Sequence, residues 1–145
     1  MLVGATGWNS SELEREMSEL AARGEVLPLG FTGEDDLARL YSAAKALVYV
    51  SLYEGFGLPP LEAMASGTPV VVSGSSSIPE VVGDAGLQVK PLDEAAIREA
   101  MIRLLDDQEL CDALAERGIM RSRGFSWARC AATTKNVYGR VLDQG

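Results

Sequence analysis

Histidine is absent from the 145-residue sequence, and only two cysteines are present. Without histidine, Ser-His triads, histidine-ligated zinc sites and histidine acid/base chemistry are all excluded. Cys111 and Cys130 both lie in helical patterns and lack the paired spacing of a zinc site. We therefore expect buried, unpaired thiols in a reducing cytoplasm rather than a disulfide.

Basic residues and long apolar runs are also scarce. The 13 Lys and Arg residues against 21 Asp and Glu give a net charge of −8, with no basic cluster, which argues against nucleic acid or an anionic bilayer as a partner. No apolar run approaches the roughly 20 residues of a membrane helix, and the start lacks a signal-peptide pattern. We expect a cytoplasmic protein with no membrane segment.

A resident metal is not predicted either. The acidic pairs Asp35-Asp36 and Asp106-Asp107 have no partner acids at ligand spacing, and no D-x-D occurs. We expect neither a metal nor another cofactor.

Strand patterns alternate with helical patterns along the chain, which predicts an α/β fold with a doubly wound, parallel, Rossmann-like sheet and helices on both faces. The length is typical of one domain, so we expect a single domain over residues 1–145. The predicted strands are Met1–Ala5, Val26–Leu29, Ala46–Ser51, Pro69–Val72 and Gly86–Lys90.

Side-chain capping is predicted at several helix starts. Capping boxes are expected at Ser11 with Glu14 and at Ser77 with Glu80. Thr32 and Ser126 are each placed to cap the helix that follows. The last helix carries an apolar stripe of Trp127, Cys130, Thr134, Val137, Tyr138 and Val141.

The stretch from Ala46 to Gly74 concentrates the chemistry. A fully buried parallel strand is expected first, followed by a turn with two glycines and a helix that begins at Pro60, because a residue before proline disfavours the α region. Free backbone N–H groups would converge at such a turn and helix start, as in anion sites of α/β folds. Glu54 and Glu62 flank the turn with seven residues between them, and Glu62 is expected in the first helical turn.

This stretch resembles a known family. The phrase SLYEGFGLPPLEAMASGTPVV, followed by SSIPEVVGDAGLQV, is similar to the retaining, nucleotide-sugar-dependent glycosyltransferases of group 1. The similarity runs from LVGATGW to FSWARCAATTKNVYGRVL. Those enzymes have two Rossmann-like domains (the GT-B architecture), and the resemblance implies that this chain is the C-terminal, donor-binding half.

The resemblance also implies roles for individual residues. Glu54 would contact the hydroxyls of the donor sugar and support the oxocarbenium-like transition state, and Glu62 would bind the ribose of the nucleotide. The amides of Gly55, Phe56, Gly57 and Leu58 would bind the diphosphate, and Phe31 and Thr32 would lie near the nucleobase. No metal would be required.

Each assignment has a structural alternative. Glu54 can be a solvated loop residue, and a glutamate in a first helical turn is favourable in any protein. The glycines can serve the turn itself, Thr32 can be a plain helix cap, and the Ser75–Glu80 segment can be only a capped helix start.

The implied function is therefore donor binding in a hexosyltransferase that takes its sugar from a UDP-, GDP- or ADP-linked donor. The alternative is a non-catalytic module that keeps the fold and serves in nucleotide or sugar-phosphate binding or in interaction with a partner. Compared with the family, the chain lacks the first strand of the donor domain, its basic diphosphate-binding loop and the N-terminal acceptor domain. We expect the isolated chain to be inactive as a transferase.

The absent strand would be central in the family's sheet, between Met1–Ala5 and Ala46–Ser51. Its loss would leave two unpaired inner edges. Either Leu2–Ala5 pairs directly with Leu47–Val50 in a five-stranded sheet, or a second copy of the chain or the excised segment supplies the pairing. Of the two, we expect self-association.

Overall fold

The computed structural model describes residues 1–4 and 11–143. The strands are β1 (Leu2–Val3), β2 (Pro28–Gly30), β3 (Leu47–Tyr49), β4 (Val70–Ser73) and β5 (Leu87–Val89). The helices are α1 (Ser11–Ala22), α2 (Glu34–Ala43), α3 (Leu58–Ala65), α4 (Ile78–Val82), α5 (Glu94–Asp106), α6 (Gln108–Ser122) and α7 (Trp127–Leu142). The end of the first predicted strand, at residue 5, and the capping side chain predicted at Ser11 lie outside the described part.

Two compact units make up the chain, Met1–Arg39 and Leu40–Gly145, and the boundary falls inside α2. In the first unit β1 and β2 form a parallel pair in which Leu2 lies beside Pro28 and Val3 beside Gly30. Both strands are solvent-exposed along their length.

The second unit is built on a parallel three-stranded sheet of order β3-β4-β5. All four residues of β4 are buried because this strand is central and covered on both faces. Val71 packs into a cluster with residues of α5 and α6, namely Ala100, Leu104, Cys111 and Leu114. Val70 and Val72 alternate to the opposite face, where α3 and α4 bury Met64, Ile78 and Val82. The predicted α/β class with parallel strands is confirmed.

Strand β3 departs from the prediction. It is an edge strand of its sheet, and Val48 is 41 % exposed, so the expected full burial was wrong. The apolar sequence of this strand predicts burial, but it does not determine which neighbouring elements cover the strand. The described residues form two parallel sheets, of order β1-β2 and β3-β4-β5.

The start of α3 was also predicted wrongly. The helix begins at Leu58, two residues before Pro60, and Gly57 precedes it with φ 108°. Amides in the first turn have no intrahelical acceptor, so the missing N–H groups of Pro59 and Pro60 cost the helix no hydrogen bond. The end of the helix agrees with the prediction, because Gly67 follows it with φ 76°.

Helix α7 has a confirmed cap and an unexpected environment. The hydroxyl of Ser126 accepts a hydrogen bond from the Arg129 amide, as predicted. None of the sixteen residues of α7 is buried, however, and its apolar stripe, including Cys130, is exposed. Cys111 is buried as expected, with its thiol donating to the Leu104 carbonyl.

Within the described ranges, 1–4 and 11–143, no helix is long and apolar enough to cross a membrane.

Candidate functional site

Glu54 lies in the turn that follows β3, on the side of the sheet where parallel strands end. Its Oε1 accepts a hydrogen bond of 2.7 Å from the hydroxyl of Tyr49, the last residue of the strand. Burial raises the pKa of Tyr49 from 10.0 to about 12, and the hydrogen bond to Glu54 and the charge of that carboxylate act in the same direction. Tyr49 therefore keeps its proton at neutral pH and acts as a hydrogen-bond donor.

Glu62 has a tyrosine partner of its own. The hydroxyl of Tyr41, in α2, donates to Glu62 Oε2 at 3.3 Å. Burial, followed by the charge of Glu62 and this hydrogen bond, raises the pKa of Tyr41 to about 12. Because α3 begins at Leu58, Glu62 lies in the second helical turn, and the predicted position in the first turn was wrong. Glu62 is exposed, so its carboxylate remains open to a ligand.

Four consecutive amides between the glutamates are not used by the fold. Within the described part of the chain, the N–H groups of Gly55, Phe56, Gly57 and Leu58 donate no hydrogen bond, whereas the next amide in α3, that of Leu61, bonds to the Gly57 carbonyl. Of these four residues Gly55, Phe56 and Leu58 are exposed, whereas Gly57 is buried. The positive end of the α3 dipole adds a smaller contribution, because two of its first three residues are prolines without N–H groups.

The two glycines of the turn, Gly55 and Gly57, differ in whether the fold could accept a side chain at their positions. At Gly57, φ is 108°, and an added Cβ would lie 2.6 Å from Ile78 Cδ1, so the fold itself demands glycine there. At Gly55, φ is not positive, and an added Cβ would meet no protein atom within 4 Å. The fold therefore requires glycine at position 57 and does not require it at position 55.

A serine loop supports this turn from the end of β4. Ser76 Oγ accepts from the Glu54 amide at 2.9 Å and donates to the Glu54 carbonyl at 3.0 Å. Ser77 Oγ lies 3.0 Å and 2.9 Å from the carbonyls of Glu54 and Phe56, and Ser75 Oγ approaches the Ser51 carbonyl at 3.3 Å. The serines thus fix the backbone that carries Glu54.

The capping box predicted at Ser77 was wrong. Ser77 directly precedes α4, but its side chain makes no capping hydrogen bond. The Ser77 hydroxyl instead donates its single proton to the carbonyls of Glu54 and Phe56. These acceptors come close to Ser77 only through tertiary folding. The sequence pattern of a capping box contains no information about such competing acceptors.

Phe31 and Thr32 belong to the first unit, in the loop between β2 and α2. The Phe31 side chain is 87 % exposed. Helix α2 begins at Glu34, and the carbonyl of Gly33 accepts from the Leu37 amide, so the residue directly before the helix is Gly33. The predicted cap at Thr32 therefore lies one position too early.

Sequence reasoning missed both tyrosines of the site. Neither Tyr41 nor Tyr49 is among the site residues predicted from the sequence. The available signal was a phenol at the last position of a strand that leads into a charged turn, since a partly buried tyrosine hydroxyl usually finds a hydrogen-bond partner. No group of three or more potential metal ligands occurs among residues 1–4 and 11–143.

The sequence model of the family described as glycosyl transferases group 1 matches residues 1–121. The chain belongs to this family. The group 1 glycosyltransferase fold of the chain is close to that of sucrose-phosphate synthase from Thermosynechococcus elongatus, with a TM-score of 0.84 and 31 % identity over 99 % of the chain and 38 % of that structure. Anabaena HepE in complex with UDP and glucose has a TM-score of 0.82 at 23 % identity, over 95 % of the chain and 39 % of that structure.

Curated relatives of this group 1 glycosyltransferase chain include mannosyltransferases. O-antigen chain mannosyltransferase B of Escherichia coli is 42 % identical over 138 residues, which cover 95 % of the chain and 36 % of that protein. The MMP alpha-(1->4)-mannosyltransferase of Mycolicibacterium hassiacum is 38 % identical over 133 residues, covering 89 % and 32 %. The chain thus spans about a third of the length of each of these two curated relatives.

Proposed function

We propose that this chain is the donor-binding domain of a retaining hexosyltransferase that takes its sugar from a nucleoside diphosphate sugar. The observation that carries the proposal is the set of four unused amides, Gly55 to Leu58, between two carboxylates that are each held by a tyrosine. The amides fit a diphosphate, which is a leaving group whose negative charge grows in the transition state. The carboxylates fit sugar and ribose hydroxyls, which donate hydrogen bonds.

In this proposal Glu54 is the catalytic carboxylate and stabilises the positive charge that develops on the sugar ring. Glu62 binds the ribose of the nucleotide, and the assignment of Phe31 and Thr32 to the nucleobase stays a prediction from the sequence. The diphosphate is bound by backbone amides, so transfer needs no metal cofactor. The remainder of the acceptor site is supplied by an N-terminal domain outside this chain, and the isolated chain is therefore inactive.

Mannose is the donor sugar that the relatives favour. Several curated relatives at 38–42 % identity are mannosyltransferases by name. HepE was solved with UDP-glucose, but its identity of 22–23 % supports the shared fold alone. We propose a mannosyl donor and leave its nucleotide to experiment. The cytoplasmic location expected from the sequence stays a prediction.

Titration of the chain with UDP, GDP and ADP, followed by amide NMR, tests the proposal. We expect one nucleotide to shift the amide signals of residues 54–62 and 30–33, and no comparable shift in α5 or α6. Ala substitution of Glu62 should weaken that response, whereas Glu109→Ala, an exposed change at the start of α6, should not.

Silence with all three nucleotides would instead favour a non-catalytic module that keeps the fold. A second assay then uses the full-length enzyme that carries this domain, with GDP-mannose and UDP-glucose as competing donors. Release of nucleoside diphosphate from neither donor would contradict the proposed hexosyl transfer.

A further inference from the structure

The hydrogen bond between Tyr49 and Glu54 joins a rigid element to a turn. Tyr49 closes β3, which pairs with β4 along its full length, whereas Glu54 lies five residues further on, in the turn before α3. At 2.7 Å, the bond to Glu54 Oε1 is short and charge-assisted. The corresponding bond from Tyr41 to Glu62 is longer, at 3.3 Å.

The backbone of Glu54 is already fixed on both sides. Ser76 Oγ binds its amide and its carbonyl, and Ser77 Oγ also approaches the carbonyl. The remaining freedom of Glu54 lies in its side-chain torsions. Within the described residues the Tyr49 hydroxyl is the hydrogen-bond partner of this carboxylate, so the phenol alone sets the direction of the carboxylate plane.

This arrangement separates the two carboxylate oxygens. Oε1 is engaged by the phenol, whereas Oε2 makes no hydrogen bond within the described part of the chain. With one oxygen held by the phenol, the other oxygen can face a reacting sugar in a fixed direction. Such positioning matters because a misplacement of about 1 Å can lower turnover by roughly 100-fold.

We propose that Tyr49 is a positioning residue for Glu54, with its hydroxyl fixing Oε1 so that Oε2 is presented to the donor sugar. The inference rests on the proposed role of Glu54 in transfer and adds to it the group that orients this carboxylate. Burial and the neighbouring carboxylate both hold the phenol in its protonated, donating form at neutral pH, because they raise the pKa of Tyr49.

The test is Tyr49→Phe in the full-length enzyme that carries this domain, because this change removes only the hydroxyl. We expect kcat to fall about 10- to 100-fold while KM for the donor changes less than about threefold. Tyr138→Phe is the matched control: Tyr138 lies in α7 and is 67 % exposed, so its loss of a hydroxyl should leave kcat unchanged. An unaltered thermal melt of Tyr49→Phe separates positioning from unfolding.

A double-mutant cycle with Glu54→Gln shows whether Tyr49 acts through Glu54. If it does, Tyr49→Phe lowers kcat in the wild-type background and has little further effect in the Glu54→Gln background. An equal loss in both backgrounds, or an unchanged kcat in Tyr49→Phe alone, would overturn the proposal.

A readout without catalysis distinguishes this inference from the proposed function. The absorbance of tyrosinate is followed against pH in the chain and in its Glu54→Gln variant. If the pair exists, Glu54→Gln should lower the pKa of Tyr49, because one cause of its elevation is removed. If that shift is observed but Glu54→Gln turns over normally, the pair is real and the proposed catalytic role has failed; if no shift is observed, the positioning role is wrong.

Discussion

Ser76 and Glu54 exchange two hydrogen bonds through a single hydroxyl group. The Glu54 amide donates to Ser76 Oγ at 2.9 Å, and Oγ donates back to the Glu54 carbonyl at 3.0 Å. Ser76 has φ 52°, the only positive φ of a non-glycine residue among those the structure describes. A left-handed backbone costs a residue with a side chain about 1–2 kcal/mol, and here it coincides with the contact that fixes the candidate catalytic residue.

Two substitutions of Ser76 distinguish the effect of its hydroxyl hydrogen bonds from the effect of its positive φ. Ser76→Ala removes both hydrogen bonds and keeps the backbone strain, whereas Ser76→Gly removes the bonds and relieves the strain. We expect both variants to lower turnover of the full-length enzyme, and Ser76→Ala to be less stable than Ser76→Gly by about 1 kcal/mol in urea denaturation. Ser18→Ala, whose hydroxyl bonds only within α1, is the control. Wild-type turnover in both Ser76 variants would show that the serine loop does not support the site.

The glycines of the turn should respond in opposite ways. Gly57→Ala places a Cβ 2.6 Å from Ile78 at a positive φ, so we expect a loss of stability of about 1–3 kcal/mol. Gly55→Ala meets no protein atom, so its stability should stay within about 0.5 kcal/mol of wild type. Nucleotide affinity should nevertheless fall in Gly55→Ala, because in the proposed site the new methyl group would lie where the diphosphate approaches the backbone. Calorimetric titration checks this, and undiminished affinity would argue against a ligand at Gly55.

The two carboxylates should affect different kinetic parameters. Glu54→Gln keeps the shape of the side chain and removes its charge, so turnover should fall by a factor equivalent to about 2–4 kcal/mol with little change in donor affinity. Glu62→Ala should weaken nucleotide binding by roughly 1–3 kcal/mol, the range for a lost charged hydrogen bond. Steady-state kinetics of the full-length enzyme measures both. Normal turnover in Glu54→Gln would exclude the role proposed for this residue.

Alkaline pH should weaken the fold through the two tyrosines. Tyr41 and Tyr49 have pKa values raised from 10.0 to about 12 in the folded state. The unfolded chain therefore loses these protons at lower pH than the folded chain, and the free energy of unfolding decreases as pH rises from about 10 to 12. Below pH 10 both states are protonated at these groups, and their contribution is complete. Urea denaturation at several pH values measures the slope, which should be smaller in Tyr49→Phe and unchanged in Tyr138→Phe.

Self-association through strand edges remains a proposal. Within its own unit β3 is an edge strand with exposed Val48, and β1 is exposed in the other unit. Open strand edges favour pairing with another chain, and a charged residue on the edge opposes it. We expect dimers in sedimentation of the chain and a shift to monomer in Val48→Lys. Val137→Lys, an exposed change on α7, should leave the dimer intact; dissociation by that variant instead would place the contact on the helix.

Sequence reasoning succeeded where local chemistry decides the outcome. The central strand β4, the glycine that ends α3 and the Ser126 cap were all predictable, because each depends on residues close together in sequence. The free amides of the turn were predictable for the same reason.

The failures have tertiary causes. The hydroxyl of Ser77 is taken by carbonyls more than twenty residues away, and the phenols of Tyr41 and Tyr49 reach glutamates that the pattern did not pair with them. The apolar stripe of α7 predicts a helix with one apolar face, but it does not specify whether anything in this chain covers that face.

Arg121 extends the support of the site to a distant part of the sequence. Arg121 lies in α6, and its guanidinium donates to the carbonyls of Val81 and Glu80, in the short helix α4, at 2.6 Å each. Helix α4 begins directly after Ser77, whose hydroxyl approaches the Glu54 carbonyl. Substitutions that disturb the candidate site should therefore not be confined to the segment between Glu54 and Glu62. A change at Arg121, sixty-seven positions downstream of Glu54, acts on the same backbone through one short helix and one serine.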